Sequence, residues 1–312
     1  MSISSTTQSK RYNNQIWLKI PYWLIAIIAL GMYVTFLIAT QDPFNNIFIQ
    51  LQEGIQVTLR VSFTAYFNAM VIGLLVGLIR AYPIREVKKG IDIIRLILFQ
   101  VSTFYVEILR GLPILVVLLI IAFVLVPSVI GFIGQTQILP SETTIAWFAG
   151  NDLGTGTDFI PEWRLIVDGR INITMRMFTN EARAIVALSL TYGAFLSEVF
   201  RAGIQSIGKG QSEAALSLGM TNLQTISHVI LPQAIRRILP ALSNDLIAMI
   251  KDSALVAILA VRDITQLAKL SSGQSFLYME TYLVAASIYL FMTLIGSGIV
   301  KIIENRLQQS SH

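Results

Sequence analysis

Residues 210–232 read GQSEAALSLGMTNLQTISHVILP, and this polar stretch lies between two long apolar runs. Good helix formers occupy 213–218, and Gly219 permits a bend. Pro232 predicts the point where a second short helix stops or kinks. The stretch therefore predicts a helix, a bend and a second helix on the protein surface, where another molecule can contact them.

The composition around this stretch is that of a membrane protein. Hydrophobic residues make up 54% of the 312 residues and charged residues 13%, whereas soluble domains carry about 25% charged residues. The formal charge of +5 fits basic cytoplasmic loops better than a nucleic-acid partner, so we expect no nucleic acid. With no cysteine and only two histidines, far apart at His228 and His312, we expect no metal site.

Six apolar segments are long enough, or nearly so, to cross a bilayer as helices of about 20 residues. They predict an all-α integral membrane protein with six spans: 22–39, 61–79, 91–130, 184–197, 239–260 and 281–300. Pro113 predicts a kink in the third span, although 91–110 could instead form a separate helix. Gly73 and Gly77 are spaced for close helix packing, or are merely tolerated in a membrane helix.

The basic residues predict the orientation of these spans. The densest basic cluster, 80–95, is expected in the cytoplasm by the positive-inside rule, and six spans then place both termini there. The predicted segments are an N-terminal tail at 1–20, a first transmembrane helix at 21–40, and an outer polar insert at 131–182. A cleaved signal peptide is the alternative for the first span, since the basic start fits one.

Charged residues inside the apolar segments predict ion pairs or a polar path. Glu107 and Arg110 are three residues apart, as are Glu198 and Arg201, so each pair can form a structural ion pair on one helix. Ionisable groups in a span are costly, by about 2.5–3.5 kcal/mol each, and often line a water-filled path. The fifth span contains three such groups followed by a serine, which we predict to be substrate-pathway residues: Asp245, Lys251, Asp252 and Ser253. Alternatively, Lys251 pairs with one of the aspartates and only stabilises the helix.

The polar stretch resembles the signature EAA loop of permease subunits of ATP-binding cassette (ABC) importers. The matching residues are Glu213, Ala214, Ala215, Gly219, Leu231 and Pro232, while Val229 stands where the family commonly has Ile. Residues 105–113, YVEILRGLP, and 250–255, IKDSAL, resemble segments of the polar amino acid permeases. Leu112, Ser253 and Ala254 depart from the common Thr, Thr and Ser of those segments.

The resemblance implies a permease domain at 50–307, with a five-span core, and a cytoplasmic coupling loop at 210–237. The first span and the 131–182 insert lie outside that core. An importer permease lies in the bacterial inner membrane as a multi-pass protein. It catalyses nothing itself, and it forms the substrate pathway for an amino acid. The coupling residues are expected to contact a pair of cytoplasmic ATP-binding subunits.

Further partners implied by the resemblance are a second permease, identical or related, an external substrate-binding protein, and membrane lipid. Residues 203–210, GIQSIGKG, nearly form a nucleotide-binding loop, but Gly210 stands where a magnesium-binding Ser or Thr is needed. We therefore expect no cofactor in this chain, with ATP and magnesium bound by the partner. The alternative function is a secondary transporter of a small polar solute, driven by an ion gradient and using Asp245 and Lys251.

Overall fold

A computed structural model describes residues 22–82, 90–135, 166–167, 170–171 and 179–309. Within these ranges the chain is helical, apart from one antiparallel pair of two-residue strands, β1 (Ile166–Val167) and β2 (Arg170–Ile171). The predicted tail at 1–20 and most of the insert at 131–182 lie outside the described residues.

The α-helices, numbered in chain order, are α1 (Tyr22–Thr40), α2 (Asp42–Leu51), α3 (Glu53–Ala81), α4 (Gly90–Gly111), α5 (Ile114–Ile120), α6 (Val126–Gln135), α7 (Asn180–Gln205), α8 (Lys209–Ser217), α9 (Asn222–Gln224), α10 (Leu231–Asp252), α11 (Ile264–Ser275) and α12 (Tyr278–Gln309). A π-helical segment, Ile121–Leu125, joins α5 to α6, and another, Thr225–Ile230, joins α9 to α10. A 3-10 helix, Ser253–Leu259, follows α10.

Helix length and composition support a membrane-type fold. Among the described residues, three helical stretches are long and apolar enough to cross a membrane: Asp42–Ala81, Asn180–Gln205 and Tyr278–Glu304. A fourth candidate is the pair formed by α4 and the segment Ile114–Ile130. The all-helical membrane-type fold is confirmed, whereas the six-span count and the cytoplasmic termini stay predictions.

The predicted third span is divided in two. Helix α4 and the segment Ile114–Ile130 are bent by 118° relative to each other. Pro113 lies at the break and precedes the first residue of α5. Because proline has no N–H to donate and its ring clashes with the preceding turn, Pro113 favours a break after α4. Residues 91–110 therefore belong to a separate helix, which was the second of the two sequence-based alternatives.

The chain forms two compact units. One contains α1 and α2 together with Leu267–Phe291, and α1 packs against α2 within it. The other comprises Glu53–Gln266 and the chain from Met292 onward. All of the predicted site residues belong to this second unit.

The second unit is built on the packing of α3 against α7. A β-carbon added at Gly73 would lie 2.8 Å from the Leu196 Cβ, and one at Gly77 would lie 2.9 Å from the Ser197 carbonyl oxygen. These distances are too short for real side chains, so the glycines let the two helices approach closely. Of the two interpretations of Gly73 and Gly77, the structure supports the packing one. Buried residues of α3, α5, α7 and α10 form the surrounding core.

Candidate functional site

Helix α8, at the start of the coupling loop, ends in a cap that depends on glycine. Gly219 has a φ of +82°. Its N–H donates to the Leu216 carbonyl at 3.0 Å, and the Met220 N–H donates to the Ala215 carbonyl at 3.2 Å. These two bonds form a Schellman motif, which needs a left-handed residue at this position. A β-carbon at Gly219 would meet nothing within 4 Å, so backbone conformation rather than space explains the glycine.

The next helix, α9, begins with a capping box that our sequence analysis missed. The Thr221 hydroxyl accepts a hydrogen bond from the Gln224 N–H at 3.3 Å. In return, the Gln224 side-chain oxygen accepts one from the Thr221 N–H at 2.8 Å. The pattern Thr-x-x-Gln is visible in the sequence and would have predicted this helix start. The two caps together define the bend between α8 and α9.

We predicted that a second short helix stops or kinks at Pro232, and the structure shows that it does not stop there. The chain stays helical from α9 through the π-helical segment Thr225–Ile230 into α10, and Pro232 lies in the first turn of α10. A proline cannot donate the usual helical hydrogen bond, and its ring crowds the turn before it. The wider π-helical turn directly before Pro232 provides the extra room without ending the helix.

Side-chain hydrogen bonds brace the loop against its flanking helices. The Gln233 amide on α10 donates to the Gln211 side-chain oxygen on α8 at 3.1 Å. The Arg237 guanidinium donates to the Ser206 carbonyl, just after α7, at 2.6 Å. Helix α8 also packs against the π-helical segment Thr225–Ile230. The loop is thus connected to both α7 and α10, the helices on either side of it.

The exposed face of the coupling loop differs in part from the prediction. Glu213 and Ala214 are exposed, as expected for residues that contact a partner. Ala215, which we also expected to contact a partner, is only 4% exposed, and its small side chain lets α8 pack on its own chain. Leu218 is 84% exposed and Leu223 is 77% exposed. Our sequence analysis did not single out these two leucines.

The predicted coupling residues at the end of the loop differ from each other in exposure. Leu231 is partly buried, Pro232 is exposed, and both lie in the first turn of α10. They lie beyond the π-helical segment Thr225–Ile230, whereas Glu213 and Ala214 lie in α8. Exposed residues therefore occur at both ends of the coupling loop.

The predicted substrate-pathway residues lie where α10 changes into the 3-10 helix. Asp252 accepts a hydrogen bond from the Tyr192 hydroxyl of α7 at 2.7 Å. Ser253 is fully buried, and its hydroxyl donates to the Ile250 carbonyl at 2.8 Å. Lys251 is exposed, and among the described residues it has no ion-pair partner. The alternative in which Lys251 pairs with an aspartate is therefore not what the structure shows.

Two tyrosines that our sequence analysis missed lie beside the aspartates. The Tyr66 hydroxyl on α3 donates to the Leu242 carbonyl of α10 at 2.5 Å. Asp245, one turn further along α10, is half-buried and interacts electrostatically with both Tyr66 and Tyr192. A buried phenol needs a hydrogen-bond partner, so each tyrosine within an apolar run was a usable signal. Helices α3, α7 and α10 thus meet around two carboxylates and two phenols.

The four residues that we predicted to form ion pairs belong to one charged cluster between three helices. The guanidinium of Arg201 lies 2.6 Å from the Glu198 carboxylate on the same helix, α7. Glu198 also pairs closely with Arg80 of α3, a residue that our sequence analysis did not select. Glu107 and Arg110 do not pair with each other. Glu107 lies 3.6 Å from Arg80, and Arg110 lies 3.9 Å from Glu198.

The correction for Glu107 and Arg110 has a simple electrostatic reason. Each finds an opposite charge on a neighbouring helix, and the Arg80 side chain is only 9% exposed. A buried guanidinium is costly unless carboxylates surround it, so the pairing between helices takes precedence over the pairing within α4. The cluster links α3, α4 and α7 near their C-terminal ends. Helix α7 then leads into the coupling loop.

Comparisons with known proteins identify the family. Residues 94–309 match the family described as binding-protein-dependent transport system inner membrane component. The chain is 27% identical over 258 residues to the arginine transport system permease protein ArtQ of Bacillus subtilis, covering 83% of this chain and 92% of that protein. It is also 31% identical over 255 residues to GlnP of Rickettsia conorii, which is provisionally designated a glutamine transport system permease protein. That alignment covers 82% of this chain and 91% of GlnP.

A solved structure supports the same conclusion. The chain resembles the crystal structure of an amino acid ABC transporter with histidines, with a TM-score of 0.59 and 29% sequence identity. The alignment covers 86% of this chain and 97% of that one. The family match over residues 94–309 includes both the coupling loop and the site around Asp245. This chain therefore belongs to the binding-protein-dependent transport system inner membrane component family, and its relatives are permease subunits of amino acid ABC transporters.

Proposed function

We propose that this protein is a permease subunit of an ATP-driven amino acid importer in the bacterial inner membrane. It is a non-catalytic, multi-pass subunit that forms the substrate pathway. A pair of cytoplasmic ATP-binding subunits hydrolyses ATP with magnesium, a second permease completes the pathway, and an external binding protein delivers the amino acid. Relatives named as amino acid permeases support this proposal.

The observation that carries the coupling role is the outward face of α8 and α9. A carboxylate, Glu213, and two almost fully exposed leucines, Leu218 and Leu223, lie on a polar loop braced at both ends. Exposed apolar side chains on a rigid, polar support are typical of an interaction surface. The ATPase would contact this face, and movement of the loop would be passed directly to α7 and α10.

We further propose six spans with both termini in the cytoplasm, a first helix at 21–40 outside the permease domain at 50–307, and the 131–182 insert in the periplasm. The basic segment 80–95 and the basic ends of the coupling loop support this orientation. The chain contains no cysteine, so it is ready for accessibility mapping. A cysteine in place of Ser217 should react with an impermeant maleimide only from inside, and one in place of Ser275 only from outside. The reverse pattern would refute the topology.

For the substrate pathway, we propose that Lys251 binds the carboxylate of the amino acid and that Asp245 binds an amino group or a cationic side chain. Lys251 is exposed and unpaired among the described residues, and Asp245 is half-buried. In a medium less polar than water, each such charge pair is stronger than in solution. Asp252, held by Tyr192, would keep the helix end in place beside the bound substrate, with Ser253 supporting the turn.

The proposal is tested by purifying the tagged chain from native membranes and assaying the eluate for ATPase activity. We expect an ATPase to co-purify with the wild-type chain and to be lost with Leu218→Asp or Glu213→Lys. Leu218→Met, which keeps an apolar side chain of similar volume, is the matched control and should retain it. A chain that elutes alone, and transports when reconstituted with only an ion gradient, would replace this proposal by the secondary transporter.

A further inference from the structure

A cavity of about 510 Å³ lies behind the coupling loop, away from the substrate-pathway residues. The end of α3, the first half of α4, and the loop helices form its walls. A volume of this size falls in the range of about 300–1,000 Å³ that is typical of ligand sites. Apolar side chains make up most of the walls: Leu78, Ile79, Leu98, Phe99, Leu223 and Ile226.

Five of the residues that line the cavity have polar side chains: Tyr82, Arg95, Ser212, Asn222 and Thr225. Arg95 is the only charged residue among the described residues that line it, and it has no ion-pair partner in the described part of the chain. Thr225 is 2% exposed, and its hydroxyl has no hydrogen-bond partner. A buried hydroxyl without a partner is costly, by about 1–3 kcal/mol. The Thr225 hydroxyl is itself buried, so the cavity offers one positive charge, from Arg95, beside its apolar walls.

From this geometry we propose that the cavity binds an anionic phospholipid of the inner leaflet, with its phosphate at Arg95 and part of an acyl chain along the apolar walls. The inference rests on the proposed function only for the cytoplasmic position of the coupling loop. That position puts the cavity at the inner surface of the membrane, where such lipids are found.

Charge and position favour a lipid over other occupants. Arg95 ends the densest basic segment of the chain, residues 80–95. Basic segments at the cytoplasmic ends of membrane helices attract anionic lipids, and basic pockets between such helices hold their headgroups. A soluble anion would use the positive charge but would leave the six apolar side chains wet. A zwitterionic lipid would pack against the apolar walls, but because it has no net charge Arg95 would attract it less strongly.

A lipid in this cavity would contact the membrane helices and the coupling loop at once. Leu78 and Leu98 belong to α3 and α4, whereas Leu223 and Thr225 belong to the loop. Binding would favour the arrangement that the structure shows, in which the loop rests against these helices and the cavity is formed. Anionic lipid content would thereby influence how readily the loop moves with the ATPase.

The test uses the full-length chain in phosphatidylcholine nanodiscs with a trace of photoactivatable lipid. The probe carries a diazirine on its acyl chain and has either a phosphatidylglycerol or a phosphatidylcholine headgroup. We expect the phosphatidylglycerol probe to label peptides containing 95–99 or 222–226 more strongly than the phosphatidylcholine probe. Arg95→Gln should lower that labelling about fivefold, the effect of one basic residue near the membrane surface.

Matched variants separate a site from general surface charge. Arg236→Gln removes an exposed arginine that does not line the cavity and should leave labelling unchanged. Arg95→Lys keeps the charge and should retain most of the labelling, which guards against misfolding as the cause of loss. Added inorganic phosphate should not displace the probe.

The proposal is overturned if the two probes label these peptides equally, or if Arg236→Gln lowers labelling as much as Arg95→Gln does. Full displacement by inorganic phosphate would likewise overturn it in favour of a free-anion site. The outcome is independent of the importer proposal. Arginine-dependent labelling of a chain that recruits no ATPase would refute the proposed function and leave the lipid site standing.

Discussion

Replacing Gly219 by alanine should weaken the contact with the ATPase through backbone strain alone. The residue has a φ of +82°, and a β-carbon there would meet nothing within 4 Å, so the substitution adds no steric clash. A residue other than glycine in this left-handed conformation costs about 1–2 kcal/mol. That cost lowers the equilibrium constant for forming the capped loop by a factor of about 5–30. If the ATPase binds only the capped loop, its dissociation constant should rise by up to the same factor.

The assay is a titration of the reconstituted chain, in nanodiscs, with its labelled ATPase in the absence of ATP. Fluorescence anisotropy gives the dissociation constant, and the thermal unfolding of each variant shows whether the membrane helices remain intact. Because the Schellman motif lies at the surface, the unfolding midpoint should hardly change. The loss should therefore appear in binding rather than in global stability.

Two variants make the Gly219 prediction specific. Gly219→Asn should bind better than Gly219→Ala, because asparagine tolerates the left-handed region. Gly210→Ala is the control: Gly210 lies in α8, where an added β-carbon would also meet nothing within 4 Å and φ is not positive. It should bind as well as the wild type or slightly better, since alanine favours a helix. Wild-type affinity for Gly219→Ala, or an equal loss for Gly210→Ala, would refute the reasoning.

Three further predictions concern the membrane part of the chain. Glu198→Gln leaves a buried arginine short of its carboxylate and should lower the free energy of unfolding by about 3 kcal/mol. Arg60→Gln breaks the exposed ion pair with Glu181 and should lower the free energy of unfolding by under about 1 kcal/mol. If Glu198→Gln and Arg60→Gln lowered the free energy of unfolding in detergent equally, the reasoning from burial would be contradicted. Gly73→Ala forces a β-carbon against α7 and should cost about 1–3 kcal/mol, whereas Gly90→Ala has open space and should be neutral in the same assay. Lys251→Met should abolish amino acid uptake with assembly intact, and Lys251→Arg should retain part of it; unchanged uptake would remove this lysine from the pathway.

The coupling loop was largely predictable because its signals are local. Helix formers, a glycine and a Thr-x-x-Gln pattern are read within a few residues, and they agree with α8, its cap and the start of α9. The π-helical turn before Pro232 was not predictable in the same way. A proline in the sequence indicates only that one helical hydrogen bond is missing. The rest of the helix determines whether the helix ends, bends or widens at that point.

The ion-pair cluster shows the limit of spacing rules. Three-residue spacing made Glu107 and Arg110 natural partners, and it did find the contact between Glu198 and Arg201. The rule considers one helix at a time, whereas the lowest electrostatic energy depends on every charge that packing brings near. Arg80 lies more than a hundred residues from Glu198 in sequence, yet both belong to the cluster.

The sequence by itself determined the class of the molecule, the helical character of its apolar runs and the family resemblance of the coupling loop. Those properties depend on composition, on periodicity and on motifs within a short stretch of chain. Tertiary structure alone decided that Ala215 is buried, that Tyr192 holds Asp252, and that Leu218 and Leu223 form the exposed face. The physical reason is that burial and pairing depend on which helices meet in space, and a contact between distant segments leaves no mark on the local pattern of either one.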